Sequence, residues 1–345
     1  MPPPAKYVVL QSMVINFSEH PQSGKMFPFS ATQSVADLRV GIFTIREKWH
    51  RLLHIKGWTP EEEKQLPAWV IPTLENVDRL WKNEIEPIDH QLIYPWDLIF
   101  LNDRAIRADI AILQASKTEF ILPDSNQYIA PEQIFIEPGA RLQHCVLNAS
   151  TGPIYIAKSA ELMEGCLLRG PVAIGEGAVL KMGTKIYGAT TIGKFCVAGG
   201  EIKNSILMAY SNKAHDGYLG DSVVGAWCNF GAGTSNSNVK NTAGNVKMWS
   251  EYDQQYISVG TKCGLVMGDY SRAAINTSFN TGTVVGVCCN VFQAGFPPKF
   301  IPSFTWGTER YLFDKAIKDI TNWKRFKGEL VTTEEMAQLA KIFEQ

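Results

Sequence analysis

A chain of 345 residues, 45% apolar and 19% charged, can bury a sizeable core and is too ordinary in composition for a disordered or fibrous protein. Its formal net charge of −1 offers no field to draw it onto nucleic acid or an anionic membrane, and no apolar run reaches the roughly 18 residues that a bilayer span needs. Seven cysteines, at 145, 166, 196, 228, 263, 288 and 289, are odd in number and lack C-x-x-C pairs. That argues against a disulfide framework or zinc knuckle, and for reduced, buried side chains in a cytoplasmic protein.

In chain order, MPPPAKYVVLQSMVINFSEHPQ has one lysine, a short apolar run and no small-residue cleavage site, so it does not read as a signal peptide. GIFTIREKWHRLL (41–53) places Ile42, Ile45, Trp49 and Leu52 on one helical face. WTPEEEKQL (58–66) offers Thr59 as an N-cap and Pro60 at the first helical position, and reads as a second helix. Residues 94–116 read as one or two more. His50 and His54 share a helix face, but without a third ligand they read as surface or packing residues.

From Ile156 the period changes. Steps of six meet Ile156, Leu162, Leu168, Ile174, Leu180, Ile186, Ile192 and Ala198. The column four residues on meets Ala160, Cys166, Val172, Ala178, Thr184, Thr190, Cys196 and Ile202. No helix has a period of six and a strand has a period of two, whereas a hexapeptide-repeat parallel β-helix has this one. A conventional β-sandwich with glycine-rich turns is the weaker alternative. The pattern starts less regularly at Ile136 and Leu142. It resumes at Tyr218, Val224 and Phe230, then around Val259 and Leu265, then at Phe279, Val285 and Val291. The interruptions, 203–217 and 235–256, read as loops leaving the prism. After Pro302 the chain reads as helical again, over 308–326 and 331–343, with Thr332 and Glu335 as a capping box. The expected organisation is mainly β. An α-rich or small α/β module (1–130) precedes a β-helix (131–302), and a C-terminal helical pair (303–345) follows it.

Lys185 and Lys203 are 18 residues apart, one full coil if the columns run unbroken, so they are expected to stack. Two stacked ammonium groups suggest a phosphate between them, or else splay into solvent. His215 follows in SNKAHDGYLGDSVVGAWCNFGAGT (211–234). A neutral imidazole there could take a proton from a nucleophile, or could simply hydrogen-bond its own loop. The β-helix and C-terminal region hold only His144 and His215, too few for a three-histidine zinc site, and no metal is expected.

KAHDGYLGD...CNFGAGT resembles the acetyltransferase half of the bifunctional N-acetylglucosamine-1-phosphate uridylyltransferase/glucosamine-1-phosphate N-acetyltransferase family, which serves UDP-N-acetylglucosamine synthesis. A variant bacterial group of that family is closer, through EIKN (201–204), SNVKN (237–241), CGLVMGD (263–269), NTGTVVGV (280–287), GFPPKFIPSFTWG (295–307) and SVADLRVGIFTIREKW (34–49). The resemblance implies a left-handed β-helix, a homotrimer and acetyl-coenzyme A as acyl donor. It implies His215 as general base and Lys203 as a sugar-phosphate contact, with Lys185 where the classical family has arginine. A lysine lacks that arginine's bidentate grip. Tyr218 and Asn229 fall on sugar-contacting positions, Asn238 on an asparagine near the reacting amine, and Thr261 and Ala294 on coenzyme A positions. The tyrosine after that asparagine is Val239 here, which leaves the acceptor open. The N-terminal half matches less well. In SGKMFPFSATQSVADLRVG (23–41), Phe29, Gln33 and Ser34 replace the variant group's leucine, arginine and proline, which removes a phosphate contact. Sugar-1-phosphate nucleotidyl transfer, needing magnesium, is therefore the second reading, and a non-catalytic sugar-nucleotide-binding scaffold the third.

Overall fold

The computed structural model describes residues 14–345, so most of the stretch read for a signal peptide lies outside it. From Gln127 onward the chain winds into a parallel β-solenoid, whose strands stack into sheets of ten, six and nine. The hexad arithmetic holds through the first coils: Leu168 pairs with Ile186 and Leu180 with Ala198, eighteen residues apart. All eight residues of the first column are buried, as are all eight of the second. All seven cysteines are buried and unpaired.

The rhythm changes after Ala198. Lys181–Thr184 turns the corner between the ten-strand and six-strand sheets in one coil, and Gly199–Gly200 turns it in the next with two residues fewer. Ile202, read as a corner residue, is instead the inward residue of its strand and pairs with Ile186. Residues 203–217 are therefore no loop; they are a shortened coil with strands at Ile206–Leu207 and Asn212–Lys213. Tyr218 faces outward and Leu219 inward. The second interruption is a true insertion, a hairpin of Lys247–Ser250 with Gln255–Ser258, and Val259 belongs to it. It reaches the N-terminal module, where Asp253 accepts a hydrogen bond from Tyr94 (3.0 Å) and pairs with Lys25 (3.5 Å).

The N-terminal module is built on α1 (Ile45–Lys56), α2 (Val77–Trp81) and α3 (Asp97–Ala115). Helix α1 starts at Ile45 rather than near Gly41, because Thr44 and Glu47 form a capping box. No helix forms over 58–66. The acidic run there has no apolar face to bury, and Gln65–Pro67 pairs with Asn16–Ser18 in a two-strand parallel sheet. Gly41 turns at φ 77°, where a Cβ would lie 2.4 Å from Asp109, so only glycine lets α3 approach. Asn102 of α3 accepts from the Gly41 amide (2.7 Å) and donates to the Ala189 carbonyl of the solenoid (2.7 Å).

The module covers the nine-strand sheet. Ile134, Ile156, Ile174, Ile192 and Val285 point into the prism, while Phe135, Tyr155, Ala173, Ile206, Val223, Val266 and Val284 point into the module's core. That sheet is buried on both faces, as parallel sheets generally are. Helices α4 (Phe313–Phe326) and α5 (Thr333–Glu344) close the far corner. The Thr332–Glu335 box forms as expected, and Lys324 pairs with Glu335. Lys327, just after α4, donates to the Tyr210 carbonyl and the Asn212 side chain, both at 2.8 Å. No helix among the described residues is long and apolar enough to cross a membrane.

Candidate active site

The six-strand sheet keeps an open outer face. On it, Lys185 pairs across the strands with Glu201, and Tyr187 with Lys203. The two lysines are therefore not stacked one coil apart, as the six-step count required. The short corner shifts the register by two residues and leaves them diagonal on the same face. Lys203 lies over the Tyr187 ring, 5.8 Å from its centroid. Tyr187 donates to Glu201 at 2.5 Å, and this acceptor pushes its phenol up to about 12.

Tyr218 pairs with Glu201 in the next coil, and its ring lies along its own strand over Gly220. A Cβ at Gly220 would fall 2.2 Å from the Tyr218 hydroxyl, so glycine is what permits that pose. Burial raises the Tyr218 phenol, with the Asp221, Tyr187 and Glu201 side chains adding to the shift and a hydrogen bond with Asn238 opposing it. Asp221 accepts from Asn204 at 2.5 Å and also from Asn238, fixing the Asn238 amide at the edge of the face.

His215 sits at the opposite edge, exposed, in the corner 214–217 that leads into the strand of Tyr218. Its loop projects because the coil beneath turns with glycines alone. A Cβ on Gly199 would lie 2.2 Å from the Ala214 carbonyl oxygen, and one on Gly200 would lie 2.8 Å from that of His215. The coil above supports the loop through the Gly233 amide, which donates to the Asp216 carbonyl (3.0 Å). From inside the prism, Lys213 donates to the carbonyls of Gly199 (3.0 Å) and His215.

One chain thus brings Lys185, Lys203, Tyr218, Asn238 and His215 to a single face and its edges. It does not bring Asn229 there. That residue lies on the ten-strand sheet, paired with Arg272, and accepts from Asn212 at 3.4 Å. Thr261 and Ala294 are exposed in turns of the later coils. Tyr187, Glu201, Asp221 and Lys213 were not singled out from sequence. Asp221 stood in the Y-L-G-D motif, whereas Lys213 was hidden because the broken step concealed its inward position.

Residues 15–68 match a family model described as sugar nucleotidyl transferase. A bifunctional protein GlmU from Methanocaldococcus jannaschii is 35% identical over 89 residues, which are 26% of this chain and 21% of that protein. A bifunctional sugar-1-phosphate nucleotidylyltransferase/acetyltransferase from Sulfurisphaera tokodaii is 33% identical over 93 residues, 27% of this chain and 23% of that one. The chain spans less than a quarter of the length of these curated relatives. An Arabidopsis UDP-N-acetylglucosamine acyltransferase structure overlaps 64% of this chain and 88% of its own at 13% identity, with a TM-score of 0.33. An overlap that loose bears on nothing further. The transferase-type segment at its N-terminus, the local identity to GlmU proteins, and H-x-x-Y-L-G-D ahead of N-x-G-A-G-T on a parallel solenoid make the chain similar to GlmU proteins over these segments.

Proposed function

We propose that this protein is an acetyl-coenzyme-A-dependent N-acetyltransferase acting on an amino-sugar phosphate of the glucosamine-1-phosphate type. The observation that carries the reading is an exposed imidazole held out at the edge of a face that also bears two lysines and two tyrosines. In the proposed reaction the sugar's 2-amino nitrogen attacks the thioester carbonyl and His215 takes the proton that nitrogen loses. The carbon–sulfur bond breaks, and the leaving sulfur takes that proton back from the His215 imidazolium to depart as the free thiol. Lys203 supplies positive charge to the sugar phosphate, and Tyr187 beneath it offers an apolar surface for the lysine stem. Asn238, whose amide donates to Asp221, is proposed as the polar contact to the acceptor. Thr261 and Ala294 are proposed as coenzyme A contacts.

The decisive measurement is thiol release from acetyl-coenzyme A with glucosamine-1-phosphate and a panel of other amino sugars; no release with any of them overturns the reading. Lys203→Ala is expected to raise KM for the phosphorylated acceptor by about 10-fold or more and leave kcat nearly unchanged, as for loss of a charge-assisted contact. An unchanged KM would remove Lys203 from the site. Because the site lies on an open face, with Asn229 around the corner, we also propose a homotrimer in which neighbours complete it. Light scattering is expected to give three times the 38.4 kDa chain mass; a monomer alone would remove the intersubunit coenzyme site.

Nucleotidyl transfer is the second reading, favoured by the family model over 15–68. Residues of that segment, Glu19, Ser23, Thr32, Gln33 and Ser34, line a cavity of about 510 Å³ with Glu334, Glu335 and Gln338 of α5. Every charged residue lining it is acidic, which suits a triphosphate only if magnesium stands between. Pyrophosphate release from a nucleoside triphosphate and a sugar-1-phosphate, with magnesium present, would establish this activity.

A further inference from the structure

The inward column of the ten-strand sheet reads Leu142, Leu162, Leu180 and Ala198, then Lys213, then Phe230, Ala273 and Val291. Lys213 is 2% exposed, and the nearest coil below offers only the small Ala198, which leaves room for its stem. Its described hydrogen-bond partners are two backbone carbonyls, those of Gly199 and His215. Asp216 is the charged side chain that acts on it most strongly. No carboxylate pairs with this ammonium among the described residues. Burying a charge without a counter-ion costs stability that a leucine or methionine at this position would not. What the lysine provides in return is a charge-assisted tether on the carbonyl of the residue that carries the imidazole.

We infer that Lys213 is a positioning residue that holds the His215 loop in its projecting conformation from inside the solenoid. This rests on the reading of His215 as the base. Its consequence is a trade: the residue lowers fold stability and raises the rate. Burial lowers the Lys213 ammonium from 10.5 to about 8, so its charge is present below that pH and is lost as the pH rises through it. Between about 8 and 10.5 the unfolded chain binds a proton at Lys213 that the folded chain does not, so the stability cost of this one residue shrinks as the pH rises across that window. Over the same window the tether loses its charge, and activity falls.

The test compares wild type with Lys213→Met. The expected variant melts no lower than wild type at pH 7, keeps KM within about twofold and loses at least tenfold in kcat. The stability difference between the two proteins narrows in favour of the wild type as the pH is raised from 8 to 10.5, because every other titrating group is common to both. With histidine-selective labelling, the His215 ring resonance of the wild type responds near pH 8, where Lys213 loses its proton, and that of the variant does not. A variant that melts several degrees lower with kcat intact makes Lys213 a packing residue and overturns the inference, as do identical His215 titrations in the two proteins. Should the variant fail to fold, the wild-type His215 titration decides alone. The resonance and stability readings do not depend on turnover. An inactive wild type with the expected His215 shift therefore sinks the acetyltransfer reading and leaves the tether standing.

Discussion

His215→Ala lowers thiol release by about 10²–10⁴-fold, the range for removing a general base from a positioned nucleophile. The side chain is exposed and makes none of the described side-chain hydrogen bonds, so the melting temperature should not change. KM for the sugar should not change either, because the phosphate contact proposed for Lys203 and the polar contact proposed for Asn238 lie on other residues. A loss below about tenfold would mean that solvent or the substrate's own phosphate takes the proton, and the assignment of the base would be wrong.

The second large effect concerns the N-terminal module. Lys48 of α1 and Asp109 of α3 are both fully buried and pair with each other, and Asp109 also accepts from the amides of Ile42 (2.8 Å) and Phe43 (3.3 Å). Burial works against both charges, raising the Asp109 carboxyl and lowering the Lys48 ammonium, and each is the main opposing influence on the other. Lys48→Met leaves the carboxylate without its cation at the point where Gly41 turns. The expected loss is about 3–5 kcal/mol in denaturant unfolding, the range for breaking a buried pair on one side. A loss under about 1 kcal/mol would show that the carboxyl simply takes up a proton.

Much of the architecture could be read from residue order, because a solenoid writes its geometry in short range. Each inward aliphatic from Ile156 to Ala198 recurs at a fixed step, and each is buried. The Thr332–Glu335 box was equally legible, since a cap depends on four consecutive residues. What failed was counting across a deletion. Gly199–Gly200 does the work of four residues, and a fixed step carried past it put Ile202 in a corner and Lys203 directly above Lys185. The helix expected over 58–66 failed for the opposite reason. Its cap residues were present, but tertiary pairing with Asn16–Ser18 gave the segment a better use. The Asn204–Asp221–Asn238 network was invisible because its members come from different coils, and only the winding brings them together.

The doubly buried nine-strand sheet gives the N-terminal module a use apart from any chemistry of its own. Phe135, Tyr155, Ile206, Val223, Val266 and Val284 of its outer face are buried in the same core as the module's apolar side chains. Stripped of the module, they would form a greasy strip along one wall, of the kind that drives chains to clump. Selection on solubility alone would then retain these hundred-odd residues.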